Sequence, residues 1–173
     1  MSNHTPQAIA PEIRTKIAAL LGREPRGLED VAVVDAAGEP MVIRVASLVD
    51  GAPFPNLFWL IDPTLVYRID CDEAGGLIQR LQQQVDGDAQ LQRAMAGDHR
   101  AHIKLRNGYM DSAMQAQLRA DNYYDLLQQR GIGGIADFGR IRCLHTWYAA
   151  HLVVANTIGS LLDGVWADVD KAE

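Results

Sequence analysis

Val31-Ala32-Val33-Val34-Asp35-Ala36-Ala37-Gly38-Glu39-Pro40-Met41-Val42-Ile43-Arg44-Val45 is the stretch that decides the fold class. Two apolar, largely β-branched runs of strand length, Val31–Val34 and Met41–Val45, flank six residues suited to a turn. Gly38 is free to take positive φ, so the spacing predicts an antiparallel β-hairpin with a longer loop.

Upstream, Ile9, Ile13, Ile17, Leu20 and Leu21 recur at helical spacing, which predicts an amphipathic helix over residues 7–21, with Pro11 tolerated in its first turn and Gly22 as its stop. The first six residues read as a disordered start. Downstream, Asp50-Gly51-Ala52-Pro53-Phe54-Pro55-Asn56 reads as a loop. Leu57–Ile61 is wholly apolar and suits a central strand buried on both faces. Beyond it the pattern turns helical. Asp62-Pro63 looks like an N-cap followed by proline at the first helical position, and Gly75-Gly76 looks like the end of that helix. Further helices are predicted over 77–85, 88–105, 110–130, 137–155 and 157–169, with Gly131-Ile132-Gly133-Gly134 as a break. A helix, a small antiparallel sheet and then helices make an α+β layout, expected to form one domain over residues 1–173.

Composition narrows the function classes. A chain of 173 residues with 48% hydrophobic residues can bury a core without disulfides. The net charge of -6 argues against a non-specific nucleic-acid binder, which needs a basic surface. No apolar run approaches the roughly 20 residues of a membrane helix. Met1–Pro6 has neither the basic start nor the apolar stretch of a secretory signal, so a cytoplasmic location is expected. Cys71 and Cys143 then read as free thiols or ligands, not a disulfide.

Three stretches carry a family likeness. They are Leu21-Gly22-Arg23-Glu24-Pro25-Arg26-Gly27; Asp50-Gly51-Ala52-Pro53-Phe54-Pro55-Asn56-Leu57-Phe58-Trp59-Leu60; and Arg142-Cys143-Leu144-His145, preceded by the Gly131–Gly134 turn. In these the chain resembles a bacterial family of unknown function, domain-of-unknown-function family five hundred and one. The likeness implies a bacterial, cytoplasmic protein and assigns no reaction. It also implies a histidine at His99, a further one near His151, and Cys or His in relatives at the position of Asp62.

Four residues stand out as a metal set: Asp62, His99, Cys143 and His145. Carboxylate oxygen, imidazole nitrogen and thiolate sulfur together suit zinc. Cys143 and His145 are two apart, about 200° around a helix, so both can reach one ion only where a helix begins near His145. The competing reading makes Asp62 an N-cap, Cys143 a small buried hydrophobe and His145 a core histidine with a hydrogen-bond partner. Cys143 is also a candidate thiol nucleophile, provided that a helix N-terminus or a histidine lowers its pKa. An anion pocket is a further candidate, with Gly131, Gly133 and Gly134 preceding a helix and Arg140 and Arg142 near its start.

Two functions follow as expectations. One is a small zinc-type protein acting as a hydrolase on a phosphorylated or nucleotide-like substrate. The other is a non-catalytic binding or regulatory module that uses the anion-binding turn or an exposed helix face to hold a small molecule or protein. The long helices between Asp88 and Arg130 are where a homodimer would pair.

Overall fold

A computed structural model describes residues 9–171. The expected disordered start, residues 1–6, lies outside them. Helix α1 spans Pro11–Leu21, with proline at its first position and Gly22 closing it at φ 67°. The hairpin follows as β1 (Leu28–Val34) and β2 (Pro40–Val45). The Asp35 carboxylate accepts the N–H groups of Ala37 and Glu39, both at 2.8 Å, and Gly38 sits at φ 84°. Side chains thus hold the turn closed, as the Asp and Gly in that loop predict.

The expected loop at 50–56 contains a miniature hairpin, β3 (Leu48–Val49) with β4 (Ala52–Pro53), turning on Asp50 and Gly51 at positive φ. Strand β5 (Phe58–Leu60) pairs with β2 and gives the order β1-β2-β5. This corrects the expectation for Leu57–Ile61, which lies on an edge. The strand buried on both faces is β2. Its Val42 joins the core beneath the helices, while Ile43 and Val45 face Ile17 of α1. An apolar run shows that a strand is buried, but its place in the sheet depends on pairing partners far away in sequence.

The helical part comprises α2 (Pro63–Ala74), α3 (Leu77–Asp86), α4 (Ala89–Tyr109), α5 (Ser112–Ala120), α6 (Tyr124–Gln128), α7 (Leu144–Val153) and α8 (Thr157–Asp170). The helix expected over 110–130 is two helices, because Asn122 takes φ 60° between them. Asn tolerates the left-handed region better than most residues, and that signal is in the sequence. The helix expected from 137 starts at Leu144; residues 135–143 are irregular.

α7 is the centre of the core. Leu144, Trp147 and Ala149 are fully buried, and the helix packs on β5, α2 and α8. It meets α8 at 99°, so these two apolar segments turn a corner. Asn156 holds the corner by donating to the Trp147 carbonyl (2.9 Å) and accepting from the Gly159 N–H (2.8 Å). Among the described residues, no single helix is long and apolar enough to cross a membrane.

Candidate functional site

The candidate site forms where the end of α2 meets the start of α7. On α2, Val66, Asp70 and Glu73 share one face, since residues three and four apart stack along a helix. The Asp62 Oδ1 accepts the Leu65 N–H at 2.7 Å and fixes where that helix begins. Across from them, Cys143 is the N-cap residue of α7, with extended backbone (φ -151°, ψ 119°). Its own side chain does not cap the helix. Glu73 does so instead, its Oε1 accepting the Leu144 N–H at 2.6 Å from 71 residues upstream. A carboxylate at a helix N-terminus gains both that hydrogen bond and the favourable end of the helix dipole.

Because the helix starts at Leu144, Cys143 and His145 escape the opposed directions that a helical interior would give them. The Cys143 Sγ lies 3.7 Å from the His145 Nδ1, and that nitrogen lies 3.5 Å from the Glu73 Oε1. One ligand atom from each of Glu73, Cys143 and His145 falls within 4.8 Å of the others. On the far side of the ring, Nε2 is 3.3 Å from the Val66 carbonyl and 3.2 Å from the Asp70 Oδ1. Those partners accept the proton on Nε2, so Nδ1 is the nitrogen turned toward sulfur and carboxylate.

Electrostatics follow the geometry. The hydrogen bond to Cys143 is the main cause that raises the His145 pKa to about 9, against the opposing pull of burial, with the charge of Glu73 and the Val66 carbonyl adding to it. Burial pushes the Cys143 thiol up, but the bonds from His145 and from the Thr146 backbone outweigh it, and the net shift is downward. The imidazolium is thus favoured beside the sulfur, and the thiol ionises more readily than a free one. The side chains of His145 and Glu73 are 22% and 26% exposed, so the group is open to small solutes.

Thiolate, imidazole and carboxylate are the donor types that a zinc-type ion takes. With Zn–S near 2.3 Å and Zn–N or Zn–O near 2.0–2.1 Å, a tetrahedral site separates sulfur from nitrogen by about 3.6 Å and nitrogen from oxygen by about 3.3 Å. The distances here are 3.7 and 3.5 Å. Three such ligands would leave a fourth position for a water or a substrate oxygen.

The four residues singled out as ligands do not converge. Cys143 and His145 come together, with Glu73 as their third partner. Asp62 spends its carboxylate on the N-cap of α2. His99 is fully buried, stacked 4.6 Å from Phe138 and edge-on to Trp147 at 4.8 Å. Its Nδ1 accepts the Ile132 N–H at 3.0 Å, and burial holds its pKa down at about 4. Hydrophobic surroundings disfavour the charged imidazole and hold this ring as a core group.

The glycine turn is likewise spent internally. Gly131 donates to Ile135, Ile132 to His99, and Gly134 to Gly131. Gly131 lies so close under the His99 ring that a Cβ there would fall 2.2 Å from Nδ1. The helix that these glycines were expected to open starts ten residues later, at Leu144. Arg140 is exposed and lies 3.9 Å from both Asp86 and Asp137. Arg142 is exposed beside Cys143. These five residues therefore do not form a single cradle of free amides and arginines.

The sequence alone does not mark Glu73, Asp70 or Val66 as site residues. The 66, 70, 73 spacing puts them on one face, but acids on an exposed helix face are too common to signal a ligand. His151, the other candidate histidine, binds Asp163 (2.9 Å) and the Asn156 N–H (3.0 Å) at the α7–α8 corner.

The sequence model of a family described as "Protein of unknown function (DUF501)" matches residues 31–163. No curated protein and no solved structure matches the chain.

Proposed function

The chain belongs to the DUF501 family of proteins of unknown function, and from that premise we propose that it binds a zinc-like divalent ion through Glu73, Cys143 and His145 and hydrolyses a phosphorylated or nucleotide-like substrate at the open position. The observation that carries this reading is the spacing of three chemically suitable donors around one point, with the second nitrogen of His145 already engaged. Histidine ligands characteristically donate their other N–H to a carbonyl or carboxylate, which orients the ring and raises its basicity. Val66 and Asp70 would be those partners.

A bound ion of this kind supplies a water made acidic enough to attack at neutral pH. The chain's own residues do the rest. Asp70 and the Val66 carbonyl hold the imidazole in register. Glu73 keeps one oxygen on the Leu144 amide, so its carboxylate plane is fixed. Arg142 adjoins Cys143, is exposed, and has no carboxylate within 4 Å among the described residues, so it is placed to meet an anionic group on the substrate. A bacterial, cytoplasmic setting belongs to the same proposal, because a reducing compartment keeps Cys143 free to ligate.

Elemental analysis of the untagged protein tests the reading. About one equivalent of zinc is expected, lost in Cys143→Ala and in His145→Ala and kept in His99→Asn. Phosphomonoesters and nucleotides then serve as the substrate panel. Metal-free protein whose melting temperature does not respond to added zinc overturns the proposal. A second reading, a thiol nucleophile, draws on Cys143 standing at a helix N-terminus with an imidazole nitrogen 3.7 Å away. Rapid alkylation of Cys143 by iodoacetamide that zinc does not slow would favour it.

A further inference from the structure

A second cleft lies at the other end of α7. It has a volume of about 530 Å³, within the range of roughly 300–1,000 Å³ typical of small-molecule sites. Phe58, Leu105, Tyr109, Ile132 and Val154 form its apolar walls, between α4 and the α7–α8 corner. Ala150 and Ala155 leave the space open, since neither side chain reaches across to α4.

Its polar groups divide into committed and uncommitted ones. Asp98 accepts the Thr157 N–H at 2.8 Å, and Asn156 holds the corner. Two others have no such duty. His102 is 6% exposed, lines the cleft, and has an Nε2 without a hydrogen-bond partner. Burial, reinforced by nearby Arg106 and His99, drives its pKa down to about 3, so the ring is neutral. Lys104 is exposed on the cleft lining and has no carboxylate within 4 Å among the described residues. An unpaired buried nitrogen is costly, and a ligand oxygen that reaches it removes the cost.

We propose that this cleft binds an amphipathic carboxylic acid that carries a second oxygen, as in a medium-chain hydroxy or oxo acid. The alkyl body lies on the apolar walls, the carboxylate faces Lys104, and the second oxygen meets His102. The site is independent of the ion-binding reading. It lies at the C-terminal end of α7, about 16 Å along the helix from Cys143 at 1.5 Å per residue.

Isothermal titration of the full chain tests it with three probes: decanoate, 3-hydroxydecanoate and decyltrimethylammonium. The hydroxy acid is expected to bind best, and the cation roughly tenfold more weakly than decanoate, a factor that reports one favourable charge contact. Lys104→Glu should reverse the preference between acid and cation. His102→Leu should erase the advantage of the hydroxy acid while leaving decanoate unchanged. Ala155→Trp, on an exposed position of the lining, should fill the cleft and abolish all binding without unfolding the chain. Binding of none of the probes to the folded wild type overturns the proposal. So does equal binding of the anion and the cation, or a self-association in light scattering that Ala155→Trp removes.

Discussion

His145 and His102 are the same side chain in opposite surroundings. His145 sits at a helix start, partly exposed, among a thiol and two acids, and its pKa is raised to about 9. His102 sits within α4 under apolar neighbours, and its pKa falls to about 3; His99, one turn away, falls to about 4. Partners decide the first case and desolvation decides the other two. A histidine with a polar setting is available for chemistry. A histidine in an apolar one is held neutral, because the fold resists its charge.

The largest expected effect tests that contrast through pH. His99 and His102 have folded-state pKa values below the ordinary 6.5, so each contributes stability above pH 6.5. That contribution is lost as the pH falls from about 6.5 toward 4 for His99 and toward 3 for His102. They are worth on the order of 3 kcal/mol for His99 and 5 kcal/mol for His102. His145 has the opposite sign in the metal-free protein. Its contribution is complete below pH 6.5 and is lost as the pH rises toward 9. Urea unfolding from pH 4 to 9 should show a steep acid limb that a His99→Asn, His102→Leu double variant flattens. An acid limb unchanged in that variant would erase the distinction drawn here.

A smaller effect sharpens the same contrast by sterics. Gly131→Ala places a methyl group against the His99 ring and should cost about 2 kcal/mol, the usual scale of core overpacking. A shift in the urea midpoint checks it, and zinc content should not change. The smallest effect compares two carboxylates. Asp62 caps its own helix, while Glu73 caps a distant one at the candidate site. Asp62→Ala should lower stability by about 1 kcal/mol with zinc content intact, as measured by thermal unfolding and elemental analysis.

Local chemistry made much of the fold legible. Pro11, Gly22, Gly38, Asp62-Pro63 and Gly75 each mark an element boundary through φ preference or capping, and the α+β class followed from the hairpin and the helical periodicity after it. What failed was non-local. Leu57–Ile61 reads as buried, yet its edge position depends on β2 pairing. Irregular residues 135–143 are held by contacts such as the Gln82 side chain on Ile141 and Gly139, which no window of sequence contains. At the site, the Cys-x-His pair and the need for a late helix start were readable. Glu73 was not, because its role arises only when α2 docks against α7.

That docking bears on how the chain matures. The Glu73 bond to Leu144 spans 71 positions, and the sulfur and imidazole stand beside it only once both segments are seated. A half-folded intermediate would have the three groups scattered through solvent, with nothing to gather them. If the proposed ion binds at this junction, its uptake would be a latch that closes last, and the moment of its closing would mark a chain that has finished assembling itself.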